Sequence, residues 1–192
     1  MEQVKLGNPA AVGLAGFAMT TFLLQCHNLG WIGVGPVLWL GLFYGGLAQF
    51  IAGFLEFKVG NNFGFSAFVS YGAFWMALAL FLIFGTSPET VKAYPLLKLT
   101  TPEVAYFLLA WTIYTGIMFI GSMKVNGTLA FVFLTLFLGF LGLTIKDMTG
   151  NHLFGTLAAW DLMVCAAAAW YLMAHVIFEG VGIHLPVGKA WL

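Results

Sequence analysis

The sequence predicts an all-α polytopic membrane protein with six transmembrane helices. Three observations carry that prediction. Of 192 residues, 61% are hydrophobic and 7% are charged, whereas a soluble domain carries about 25% charged residues. Mean hydropathy is +0.98. Six apolar runs, each able to cross a bilayer that needs about 17–25 helical residues, are separated by short polar or turn-rich links. No segment alternates in polarity as a barrel strand does, which argues against a transmembrane β-barrel.

The first span is expected over residues 9–26. Asn8 is placed to cap it, and Pro9 falls at the first helical position, where a missing N–H costs nothing. No cleavage site of the signal-peptide kind precedes this span, so it is expected to be retained. Phe17, Thr20, Thr21, Leu24 and Asn28 recur at spacings of three and four and so share a face. Hydroxyls in a membrane helix need a partner or a water path, and such a stripe suits a helix that lines a solute pathway.

The second span, 36–55, contains Gly41 and Gly45 in a GxxxG pattern extended by Gly46, Ala48, Ala52 and Gly53. Such a face lets backbones approach closely, either within one protomer or between subunits. Gln49 lies mid-span, with Glu56 on the same face near its end. An uncharged amide there can donate to a carboxylate or simply tie two helices together.

The third span, 66–84, holds Tyr71 a few residues inside its start, close to Ser66 and Ser70. A membrane tyrosine is commonly an interfacial or packing residue. The fourth, 103–122, opens on Thr101-Pro102-Glu103, which repeats the cap-then-proline start of the first. The fifth, 128–145, contains Leu136. The sixth, 153–178, carries Asp161, a costly residue in a membrane and therefore a candidate protonatable group; a hydrated, structural carboxylate near the outer interface is the alternative. The longest link, 85–102, holds Pro88, Pro95 and Pro102 and is expected to be an ordered surface loop.

Charge narrows the function classes. The chain has seven lysines, no arginine and zero net charge, which argues against nucleic acid as a partner. A carboxylate would have to be held by hydroxyls, amides, helix N-termini or water. Cys26 and Cys165 lie in apolar runs and read as small buried hydrophobes, with no disulfide or metal site implied. His27, His152, His175 and His184 do not sit at the matched depths that bis-histidine haem needs, so no cofactor and no metal is expected. With both termini inside, lysines divide four (Lys5, Lys58, Lys124, Lys189) against three (Lys92, Lys98, Lys146), which favours cytoplasmic termini under the positive-inside rule.

The segment NPAAVGL (Asn8 to Leu14), followed by Gly16-Phe17, Met19-Thr20-Thr21 and His27-Asn28, closely resembles the N-terminal signature of the acetate uptake transporter family, which includes the bacterial succinate–acetate permeases. It departs at Ala11, where that family usually has proline, and at Val12. The stretch FYGGLAQFIAGFLEFKVGNNFG resembles the family's second-span pattern, and its Gln and Glu are family features. The likeness is strongest over residues 8–64 and returns at Leu185-Pro186-Val187-Gly188. It does not include Asp161.

The resemblance implies a single six-helix transmembrane domain over 1–192, in the inner or plasma membrane, assembled as a homo-hexamer with a pathway in each protomer. It implies a hydrophobic constriction matching Phe17, Tyr71 and Leu136. It further implies a small carboxylate solute, acetate first and succinate second, that meets Thr20, Thr21, Asn28 and Gln49. Asp161, outside the resemblance, and Glu56 are the possible protonatable groups. Such a protein is a transporter or channel and not an enzyme. The rival class is a membrane-embedded enzyme or electron carrier using Asp161 and the histidines.

Overall fold

The computed structural model describes residues 6–192; Lys5, one of the four lysines assigned to the cytoplasmic side, lies outside them. All regular structure among the described residues is helical. In chain order these are α1 (Ala10–Asn28), α2 (Gly35–Lys58), α3 (Asn62–Gly85), the short α4 (Pro88–Ala93), α5 (Thr101–Ser122), α6 (Gly127–Thr149) and α7 (His152–Glu179). All except α4 are long and apolar enough to cross a membrane.

The helices begin where local chemistry starts them, several residues outside the apolar runs in some cases. Asn8 Oδ1 accepts from Ala10 N at 3.0 Å, with Pro9 already turned (φ −66°, ψ −21°). Asn61 caps α3 through Gly64 N at 3.0 Å, and Asn126 caps α6 through Leu129 N at 2.8 Å. Thr100 and Glu103 form a capping box at the start of α5, satisfying two orphan donors reciprocally. Hydropathy marks the part of a helix that hydrocarbon surrounds; the caps lie beyond it. That is why α3 starts at Asn62 and α6 runs on to Thr149, where Gly150 ends it in the left-handed conformation (φ +72°).

One feature of α2 differs from the uniform span expected. Residues Phe43–Ala48 form a turn of π-helix, with regular α-helix on either side. A wider turn of this kind rotates the second half of the helix relative to the first. It falls on the Gly45-Gly46 pair, where no Cβ resists it, and at the closest approach to α1. A Cβ on Gly45 would run into the side chain of Thr20, and Tyr44 O lies against Gly16.

The spans form a ring. α1 packs between α7 and α2, α2 packs on α3, and α6 packs between α5 and α7. Long side chains close the ring between α3 and α5: Tyr71 Oη and Thr115 Oγ1 are 2.8 Å apart, and Tyr114 Oη donates to Ser66 O at 2.9 Å. The glycine face of α2 is used up inside this ring. Gly41 abuts Ala79 and Trp75, Gly45 abuts Thr20, and Gly53 abuts Val69. The alternative that this face makes subunit contacts is thereby corrected, because burial within one chain leaves it no surface to offer. The opposite side of α2 presents Trp39, Phe43, Ile51 and Phe57 outward.

After α7 the chain turns back over the face on which α1, α3 and α6 begin, the tail face. Tyr171 Oη donates to Pro186 O at 2.7 Å. Val187 O accepts from Thr128 N at 2.8 Å and from Thr128 Oγ1 at 3.0 Å, and Trp191 N reaches Met123 O at 2.8 Å.

Candidate functional site

Two cavities lie in line inside the ring. The near cavity, on the tail side, has a volume of about 210 Å³ and is lined by residues of α1, α2, α3, α6 and α7. The far cavity, about 40 Å³, lies beyond it. Both exceed the roughly 10–15 Å³ that a single water requires. Phe17, Tyr71 and Leu136 line both cavities, so these three side chains divide one from the other. They come from α1, α3 and α6 and are 6%, 2% and 4% exposed. The Phe17 and Tyr71 rings are 6.1 Å apart at 59°. Tyr71 is held by its hydroxyl contact with Thr115 and flanked by Trp111, Tyr114 and Phe133.

No lysine lines either cavity, so polar character comes from amides, a hydroxyl, an indole and an imidazole. The near cavity receives Gln49, Asn61, Asn126 and His175. Gln49 is 1% exposed, and its Oε1 has no hydrogen-bond partner. Ala10, Gly64 and Leu129, whose N–H groups bond to Asn8 just before α1 and to the capping Asn61 and Asn126 of α3 and α6, also line it. Three helix N-termini thus converge there, and their dipoles favour an anion. The far cavity receives Thr21, Gln25 and Trp75. Thr21 Oγ1 and the Trp75 indole N–H are both buried without a partner.

The polar stripe of α1 is therefore split by position. The Thr20 hydroxyl donates to Gly16 O at 2.8 Å, faces the glycines of α2, and lines neither cavity. Thr21 lies on the far cavity, while Gln49 lies on the near one, with the Phe17–Tyr71–Leu136 divider between them. Asn28 is exposed at the end of α1 and donates to Gln25 Oε1 at 2.9 Å. Glu56 is buried behind Asn61, whose Nδ2 donates to it at 2.8 Å. Asp161 is half-buried on α7, lines neither cavity, and has one oxygen without a partner.

Sequence reasoning missed Thr115, Gln25, Asn126 and the placement of His175. Gln25 had a signal, as an amide four residues after Thr21 on the same helix. Thr115 had a weaker one, as the second hydroxyl of a Thr112–Thr115 pair inside an apolar span. Among the described residues, no group of three or more His, Cys, Asp or Glu side chains is placed to hold a metal ion.

Six spans in a ring around two chambers in series, separated by apolar side chains, define a membrane protein built around an internal solute path. The chain belongs to the GPR1/FUN34/yaaH family, whose family model matches residues 1–186. It is 42% identical to the succinate-acetate/proton symporter SatP of Escherichia coli strain K12, over 99% of this chain and 100% of that protein. It is 35% identical to acetate permease A of Emericella nidulans, over 89% of this chain and 61% of that longer protein. A solved structure of the bacterial acetate channel SatP superposes with a TM-score of 0.86 at 39% identity, covering 96% of this chain and 100% of that one.

Proposed function

We propose that this protein carries small monocarboxylates across a cell membrane, acetate first and succinate second, through a path inside each protomer. The whole chain acts as one transmembrane domain, with both termini on the cytoplasmic side and six copies in the working assembly. The observation that carries this reading is the pair of chambers divided by Phe17, Tyr71 and Leu136, in a chain whose relatives include a succinate-acetate/proton symporter and an acetate channel. The enzyme alternative has no support: these relatives are named as transporters or channels, and Asp161 lines neither chamber.

The mechanism rests on a lining without lysine or arginine. A carboxylate entering the near chamber meets the Gln49 amide and three helix N-termini, which attract it without the tight grip of an arginine. Beyond the apolar divider it meets the unpartnered Thr21 hydroxyl and Trp75 N–H. Weak sites in series suit conduction, which needs binding loose enough to leave. Uptake of labelled acetate into proteoliposomes tests the reading: flux above that of protein-free vesicles is expected, and its absence for correctly folded protein would overturn it.

A further inference from the structure

The near chamber has one wall residue that the divider and the amides leave unused. His175 lines it from the last turns of α7, with its side chain 19% exposed. Its Nδ1 lies 2.7 Å from Leu185 O. A carbonyl can only accept, so Nδ1 carries a proton and Nε2 is the exchangeable nitrogen. No other residue lining this chamber can become a cation.

The titratable groups around His175 are few. On its own helix, Glu179 Oε2 lies 4.0 Å from Nε2 and supplies a counter-charge. From the C-terminal segment, His184 Nδ1 contacts the same carboxylate at 3.5 Å. From α3, Tyr71 lines the far end of the chamber, its hydroxyl held by Thr115. From α2, Glu56 stands behind Asn61. The lining residues of α1 and α6 include no titratable group.

The geometry points to His175 as the proton donor of the near chamber. An anion is costly in a passage walled by Phe17, Tyr71 and Leu136, whereas the neutral acid is not. With Nε2 protonated, the imidazolium hydrogen-bonds a carboxylate oxygen in the chamber. The proton then moves from Nε2 to that oxygen, the neutral acid passes the divider, and water on the tail face returns a proton to the imidazole. This inference rests on the carboxylate reading of the two chambers.

The test is protein-dependent uptake of labelled acetate in proteoliposomes at about pH 5.5 and about pH 7.5, with protein-free vesicles subtracted. His175→Asn keeps an amide donor for Leu185 O and removes the exchangeable nitrogen. Uptake at the lower pH is expected to fall by about tenfold, the scale of one hydrogen bond to a charged group, and its pH dependence to flatten. Acetate-driven proton movement, read by a trapped pH dye, is expected to be lost with it. His175→Gln provides the same comparison should the asparagine variant not assemble. An unchanged pH profile in a folded variant overturns this inference alone. Wild-type uptake no faster than in protein-free vesicles overturns the carboxylate reading and this inference together.

Discussion

Most hydroxyls buried in these helices are satisfied by their own backbone. Thr20, Thr112, Thr135 and Thr144 each donate to a carbonyl one turn back, which is why a threonine stripe by itself does not mark a pathway. The informative residues are those left without a partner: Thr21 and Trp75 on the far chamber, and Gln49 on the near one. An unpaired buried polar group costs about 1–3 kcal/mol; a carboxylate can accept from the Thr21 hydroxyl and the Trp75 N–H, whereas the unpartnered Gln49 Oε1 is an acceptor that only a protonated acid satisfies. Gln49→Leu is expected to reduce acetate flux about tenfold, in line with loss of one hydrogen bond to a carboxylate, while size-exclusion behaviour stays unchanged. Leu136→Ala is expected to widen the divider and raise succinate uptake relative to acetate several-fold, measured as competing fluxes in the same vesicles. Asp161→Asn is expected to keep acetate flux near the wild-type value, because Asp161 faces neither chamber; complete loss of flux in a folded variant would refute that.

The six spans were legible from hydropathy, and the start of α1 from Asn8 and Pro9, because hydrocarbon length and capping chemistry are local properties. Phe17, Tyr71 and Leu136 were legible only through family resemblance; no local rule says that residues on α1, α3 and α6 meet. The π-turn of α2 was not legible at all. It reflects how α2 fits against α1, and a glycine pair is compatible with many other outcomes. Its consequence is testable at the same scale. Gly45→Ala pushes a methyl into the Thr20 side chain, and overpacking of this kind costs about 1–3 kcal/mol. The variant is expected to melt several degrees lower in detergent, and Gly45→Ala with Thr20→Ser to recover part of that loss. A wild-type melting temperature for the single variant would mean that the contact relaxes freely.

At the scale of the whole molecule, the outward surface is apolar around the ring, with Trp39, Phe43, Ile113, Ile117 and Leu157 all exposed on the isolated chain. Lipid covers part of such a surface, and the proposed hexamer covers the rest. Native mass spectrometry in mild detergent is expected to give a dominant six-fold mass; monomers alone would argue against it. The contact between Tyr71 and Thr115 bears on how the assembled molecule works as a conductor. One jaw of the divider is anchored to the neighbouring helix α5, whereas Phe17 and Leu136 have no polar tether. On the proposed reading, opening falls to rotation of a phenyl ring and a leucine out of close packing. On the same reading, such a path is expected to stay dry at rest, to conduct in discrete thermal openings, and to slow on cooling far more steeply than a standing column of water would.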